Sequence, residues 1–135
     1  MSMFNIFDVS ASAMAAQSVR MNVTASNIAN AESAGNSPAS TYHARSPVFA
    51  TILDQNSRAR GGVQVRGVVE DFSPGPKRFE PTNPMADEEG YVYLSNVDVI
   101  AEMVNMMSAS RTYQNSIEVL NTSKEMMSRT LTIGQ

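Results

Sequence analysis

Phe7, Met14, Met21 and Ile28 stand seven residues apart, with Ala11, Ser18 and Ala25 between them. Alternating three-and-four spacing is that of a coiled-coil seam, and it commits the start of the chain to a helix with one apolar edge. From Phe7 to Ile28 such a helix runs about 33 Å. The far end repeats the device at greater length. Val99, Met103, Met106, Ser110, Tyr113, Ile117, Leu120, Lys124, Met127 and Leu131 keep four-three spacing, and all but Ser110 and Lys124 are apolar or aromatic. This second helix spans about 50 Å, far beyond the mean of about 11–12 residues.

Glycine and proline divide the chain in the same places. Residues 1–31 hold neither, residues 32–90 hold every proline and all glycine except Gly134, and residues 91–135 are again free of proline. The expected fold is therefore α+β. An N-terminal helix occupies residues 1–33, an irregular β-containing segment residues 34–94, and a C-terminal helix residues 95–135, with the helices pairing as an antiparallel coiled coil. Asn5 with Asp8 marks a start for the first helix and Glu32 to Gly35 an end, while Ser95 with Asp98 reads as a capping box for the second. In the middle, "GGVQVRGVVEDF" alternates as a strand after a Gly61-Gly62 turn, and "YVYL" at 91–94 is its expected partner. "SPGPKRFEPTNP" is too rich in proline for a central strand and reads as an extended connector. "SAGNSPAS" reads as a mobile loop.

The surface of these helices is wrong for water. "NVTASNIANAES" carries no charge before Glu32, and offers Asn22, Asn27 and Asn30 instead. Amides donate and accept hydrogen bonds without a net charge, which suits a helix buried against others. Val97, Val99, Ile100, Met103, Val104, Met106 and Met107 cover more than one face of the second helix, which is longer than the first by roughly a third. A simple helix pair would leave that surface wet, so neighbouring copies or related subunits are the expected cover. The ten methionines fit the same reading, because flexible thioethers adapt to non-identical contacts.

Other function classes find little support. A net charge of −3 and a pI near 5.0 argue against nucleic acid or an anionic membrane. The chain has no cysteine, which excludes thiol catalysis, thiolate metal sites and disulfides. Ala11-Ser12-Ala13 resembles a signal-peptidase site, but no basic residue precedes Arg20 and Asn5 and Asp8 interrupt the apolar run, so no cleaved signal is expected. His43, the one histidine, has no catalytic or metal motif around it and reads as a solvated loop residue. Asp87-Glu88-Glu89 lacks the spaced ligands of a calcium loop and reads as a solvated turn. Asn22-Val23-Thr24 and Asn121-Thr122-Ser123 match glycosylation acceptors by chance on helices, and Lys77-Arg78 is too small a basic patch for nucleic acid. The expectation is a protein that is not an enzyme, with no cofactor, metal or small-molecule substrate.

Longer motifs point to a family. "FDVSASAMAAQSVRMNVTASNIANAES" resembles the N-terminal signature of flagellar rod, hook and related axial proteins, and "SNVDVIAEMVNMMSASRTYQNSIEVLNTSKEMMSRTLTIGQ" resembles their C-terminal signature. "PVF" at 47–49, "NPMADEEGYVYLSNVD" and the short middle resemble a rod member at the proximal end of the shaft. Residues 33–43 and the pair Asn115-Ser116 depart from that pattern. The resemblance implies a structural subunit that assembles with copies of itself, with other proximal and distal rod proteins, and with the MS ring and its junction protein. It further implies passage through the flagellar type III export apparatus without a cleaved signal, and a place in the periplasmic rod of the basal body. The assembly interface expected on this basis comprises Phe7, Met14, Met21, Asn22, Ala25, Asn27, Ile28 and Asn30 on the first helix. On the second it comprises Val99, Ile100, Met103, Val104, Met106, Met107, Tyr113, Ile117, Leu120, Met127 and Leu131. The alternative is an exported junction adaptor or regulator that stays outside the lattice.

Overall fold

A computed structural model describes residues 3–53 and 61–133. Helix α1 runs Met3–Ala29 and helix α2 Val99–Ile133, so α2 is 35 residues long against 27. Between them lie strands β1 (Ala34–Gly35), β2 (Arg45–Leu53), β3 (Gly61–Glu70), β4 (Lys77–Phe79) and β5 (Tyr91–Leu94). The class is α+β, with two long helices and two small antiparallel sheets.

The helix ends differ from expectation in instructive ways. α1 stops at Ala29, short of Glu32, because its last turn tightens. The Asn30 N–H donates to both Ser26 O and Asn27 O, and the Asn30 side-chain amide folds back onto Ser26 O at 2.8 Å. Three-residue closure of this kind leaves no path for a further helical turn. At the start of α2 the cap is Asp98 rather than Ser95. Asp98 Oδ1 accepts from the N–H groups of Ile100 and Ala101 at 2.9 and 3.2 Å, the reach of an N-cap side chain. Ser95 accepts only from Val97 N–H, forming a small turn upstream.

Four expectations for the middle segment are corrected. "YVYL" does not pair with the 61–70 strand. β2 and β3 pair with each other from Arg45↔Glu70 to Leu53↔Gly61, with a bulge at Val48/Phe49, and Gly61 and Gly62 belong to the strand itself. β5 instead takes β1 on one edge and β4 on the other, in the order β1-β5-β4. The supposed connector thus contributes strand β4 between Pro76 and Pro81, the edge position in which flanking prolines cost no ladder bonds. "SAGNSPAS" is also tied down. Ala34 and Gly35 pair with β5, and the buried Thr41 hydroxyl donates toward Ser37 O and Tyr93 O. Gly90, at φ +83°, makes the tight turn into β5, and Val92 on that strand is fully buried.

α1 sits at the centre of the arrangement, packing on α2 and on both strands of the β2–β3 ribbon. The helices run in opposite directions, because Arg20 bonds to Asn105 while Asn27, further along α1, bonds back to Glu102. What the chain lacks is a core. Among the described residues only Ala16, Val92 and Ala109 are buried apolar side chains. The accessible surface is 9484 Å², against about 6,900 Å² for a compact folded monomer of 14.6 kDa.

Candidate assembly interface

The face that each helix turns inward is defined by burial. On α1 the least exposed row is Ile6, Ser10, Ala13, Gln17, Arg20, Thr24 and Asn27; on α2 it is Glu102, Met106, Ala109, Tyr113, Ser116, Leu120, Ser123 and Met127. Both rows alternate by three and four residues along their helices. On α1 this row is mostly small and polar and is turned away from Phe7, Met14, Met21 and Ile28, whereas on α2 it keeps Met106, Tyr113, Leu120 and Met127 of the expected row beside Glu102, Ala109, Ser116 and Ser123. One residue step turns a helix face by about 100°, so the neighbouring apolar rows flank the contact. Because the helices are antiparallel, that turn goes to the same side of the pair on both. The opposite side carries the β2–β3 ribbon, whose Val63 N–H donates to Ser12 Oγ at 3.2 Å.

The expected interface residues fall into three groups. Phe7, Met14, Met21 and Ile28 on α1 are half-buried, as are Met106, Tyr113, Leu120 and Met127 on α2. Val99, Ile100, Met103, Val104, Met107, Ile117 and Leu131 are exposed, Ile100 to 76 % and Leu131 to 73 %. Asn22 and Ala25 are also exposed, whereas Asn30 is spent on closing its own helix. Exposed apolar residues gather at the start of α2, where Ile100, Met103, Val104 and Met107 share one face.

Asn27 stands apart from all of these, at 1 % exposure. Its Nδ2 donates to Arg45 O at 2.8 Å and to Glu102 Oε2 at 2.9 Å. Its Oδ1 accepts from the Tyr42 hydroxyl at 2.9 Å and from Arg45 N–H at 3.0 Å. Two donors and two lone pairs are all an amide possesses, and every one is used. One side chain therefore joins α1, α2 and the root of β2. Glu102 is completed by Asn105, whose Nδ2 donates to Oε1 at 3.0 Å, and Asn105 Oδ1 in turn accepts from Arg20. Burial of the Tyr42 hydroxyl raises its pKa above 10.0, with nearby Arg45 opposing, so it stays a donor.

A second asparagine holds the other root of the ribbon. Asn96 Oδ1 accepts from Ala44 N–H at 2.7 Å, and its Nδ2 donates to Asp71 O and Ser73 O. Asn96, Tyr42, Arg45 and Glu102 escaped the sequence reading. The one legible signal was Glu102, a lone carboxylate within the apolar run from Val99 to Met107. The remaining isolated features are structural. His43 Nε2 contacts Pro38 O at 3.1 Å and its ring leans on Phe72. Asp87 accepts from the N–H groups of Glu89 and Tyr91, so the acidic run is a turn shaped by its first carboxylate. No group of three or more His, Cys, Asp or Glu that could hold a metal is found among the described residues.

Two helices with little core between them, anchored to a ribbon and rich in exposed apolar side chains, describe a subunit built for assembly. Comparison with known proteins agrees. A family described as flagella basal body rod protein matches residues 7–35, and one described as flagellar basal body rod FlgEFG protein C-terminal matches residues 88–133. These matches define the class, a structural subunit of the flagellar basal-body rod and not an enzyme. Curated relatives named flagellar basal-body rod protein FlgC are 53 % identical in Salmonella typhimurium, 51 % in Escherichia coli O157:H7 and 45 % in Buchnera aphidicola from Acyrthosiphon pisum, each over the full length of both chains. The chain belongs to the FlgC family.

Proposed function

We propose that this rod subunit builds the proximal segment of the shaft, with its terminal helices forming a coiled coil that packs among neighbouring subunits around an export channel. The observation that carries this reading is the missing core. A chain of this size that buries three apolar side chains among its described residues and exposes about 2,600 Å² more than a compact monomer has left its burial to other subunits. The half-buried row Phe7, Met14, Met21 and Ile28 and the exposed residues of α2 are the surfaces offered to them. Torque passes between subunits through these packed helices, and the partners are copies of the chain, other rod proteins, and the MS ring with its junction protein. The chain reaches that position through the flagellar type III apparatus without a cleaved signal.

The test is rod assembly and motility in cells carrying Met21→Asp or Ile28→Asp. An unpaired carboxylate buried in a packed seam costs several kcal/mol, so both variants stop the rod from forming. His43→Ala, outside these surfaces, leaves swimming intact. Normal rods from Met21→Asp and Ile28→Asp together would remove the proposal.

A further inference from the structure

A cleft of about 350 Å³ lies between α1, α2 and the root of β2, and its polar lining is Arg20, Thr24, Arg45, Ser46, Glu102 and Asn105. Arg20 is the only charged side chain on α1 between Asp8 and Glu32, and its guanidinium donates to a neutral oxygen, Asn105 Oδ1 at 3.1 Å. Among the described residues no carboxylate pairs with it. Glu102, the acid in the cleft, is taken up by the amides of Asn27 and Asn105, and Arg45 is met by Glu70. Thr24 is only 3 % exposed, yet its hydroxyl borders this space with no hydrogen-bond partner among the described residues. Resting on the rod-subunit reading, we propose that the cleft is a carboxylate-binding site, filled by Glu88 or Glu89 from the acidic turn of a neighbouring copy of this chain.

The chemistry of the cleft selects the ligand group. A guanidinium carries five N–H donors in a planar fork that matches the two oxygens of a carboxylate, and a buried hydroxyl beside it supplies one more donor. A cation left half-buried beside an amide is stabilised far more by an anion than by another neutral oxygen. The volume falls at the lower end of the roughly 300–1,000 Å³ of ligand pockets, room for one side chain and not for a second helix.

The chain itself offers the matching group. Glu88 and Glu89 are exposed, and neither carboxylate has a partner among the described residues. Their turn is already rigid. Asp87 Oδ1 accepts from the N–H groups of Glu89 and Tyr91, Gly90 N–H donates to Asp87 O, and Gly90 sits at φ +83°. Little backbone freedom is therefore lost when the turn docks. Asp8, Glu32 and Glu118 stand singly on or beside the helices, whereas this turn holds two unpaired carboxylates clear of them. Turn and cleft are unlike surfaces, so the contact is head-to-tail and repeats from copy to copy.

The test is charge exchange in cells, read as the amount of this chain in isolated basal bodies. Arg20→Glu alone, and Glu88→Arg with Glu89→Arg, each lower that amount by about tenfold or more, and the three substitutions together restore most of it. Arg20→Gln separates pairing from folding. Its amide still donates to Asn105 Oδ1, so the melting midpoint of the purified chain holds while incorporation falls. Wild-type incorporation of the chain carrying Glu88→Arg and Glu89→Arg overturns the proposal, because the turn lies on the surface and its loss of charge leaves the fold intact. Failure of the combined variant to recover overturns it as well, and assigns the carboxylate in the cleft to another source. The unmodified chain is scored first. Its absence from purified rods defeats the rod reading itself, a result distinct from either failure of the charge exchange.

Discussion

Asn27 Nδ2 lies 2.9 Å from Glu102 Oε2, and this bond is where the two ends of the chain, 75 residues apart, are fastened. The same amide holds Arg45 by both its N–H and its C=O. Asn27→Ala therefore strands four buried or half-buried polar groups at once. Unsatisfied groups cost about 1–3 kcal/mol each, and partial hydration of the gap brings the loss to roughly 3 kcal/mol. Thermal unfolding followed by circular dichroism should show a midpoint lowered by about 10 °C. Asn27→Asp is the sharper variant. It keeps both acceptors, but sets a carboxylate against Glu102 and the Arg45 carbonyl, so its deficit is larger at pH 7 than at pH 4.

Gly75 and Gly67 should behave oppositely. A Cβ on Gly75 would stand 2.1 Å from Leu94 O, backbone against backbone, with no side chain free to yield. Gly75→Ala should destabilise the chain by more than about 3 kcal/mol in urea unfolding, through overpacking beside β5. At Gly67 nothing lies within 4 Å and φ is not positive, so Gly67→Ala is neutral or stabilising by about 0.5 kcal/mol.

Surface substitutions at the start of α2 should separate folding from assembly. Ile100 and Met107 are 76 % and 61 % exposed, so Ile100→Asp and Met107→Asp change monomer stability by no more than about 0.5 kcal/mol. Both should abolish incorporation into rods, measured as the amount of this chain in isolated basal bodies. Wild-type incorporation would mean that this face stays in solvent.

Stability should fall on the acid side for stated reasons. The Ser73 hydroxyl and N–H hold the Asp71 carboxyl below its ordinary 3.8, and the Asn83 amide with Arg78 holds Glu80 below 4.5. A depressed carboxylate stabilises the fold above its unfolded value and ceases to as pH falls through the lower folded value. The melting midpoint should therefore decline below about pH 4.5, with a shallower slope in Asp71→Asn and Glu80→Gln. Tyr42 has the reverse sign. Its raised pKa supports the fold below pH 10.0, and the support is lost as pH climbs beyond its folded value.

The long helices were legible because their seven-residue period survives over three or more heptads. The inward face of α1 was not, and that of α2 was legible only at Met106, Tyr113, Leu120 and Met127. A hydrophobic repeat marks where apolar area is greatest, yet the most buried side chains of the two helices include Ser10, Thr24, Ala109 and Ser123, too small or too polar to stand out. The partners of β5 were hidden for another reason. β1 and β4 have two and three residues, shorter than any alternation that could announce them, and β4 lies between prolines. Asn27 was visible as an amide in an uncharged helix. Its partners Tyr42, Arg45 and Glu102 come from three other places in the chain, and only folding brings them together.

The paired bonds from Asn27 to Arg45 have a mechanical consequence. A strand hung from a helix by one hydrogen bond can swivel about it. Held by its N–H and C=O together, and by Asn96 at the neighbouring residue, the root of β2 can turn only by shearing three bonds in parallel. The ribbon is thus clamped at its root and rests on α1 as far as Val63, whose N–H meets Ser12 Oγ, so a twist applied to the helices carries it along as one body.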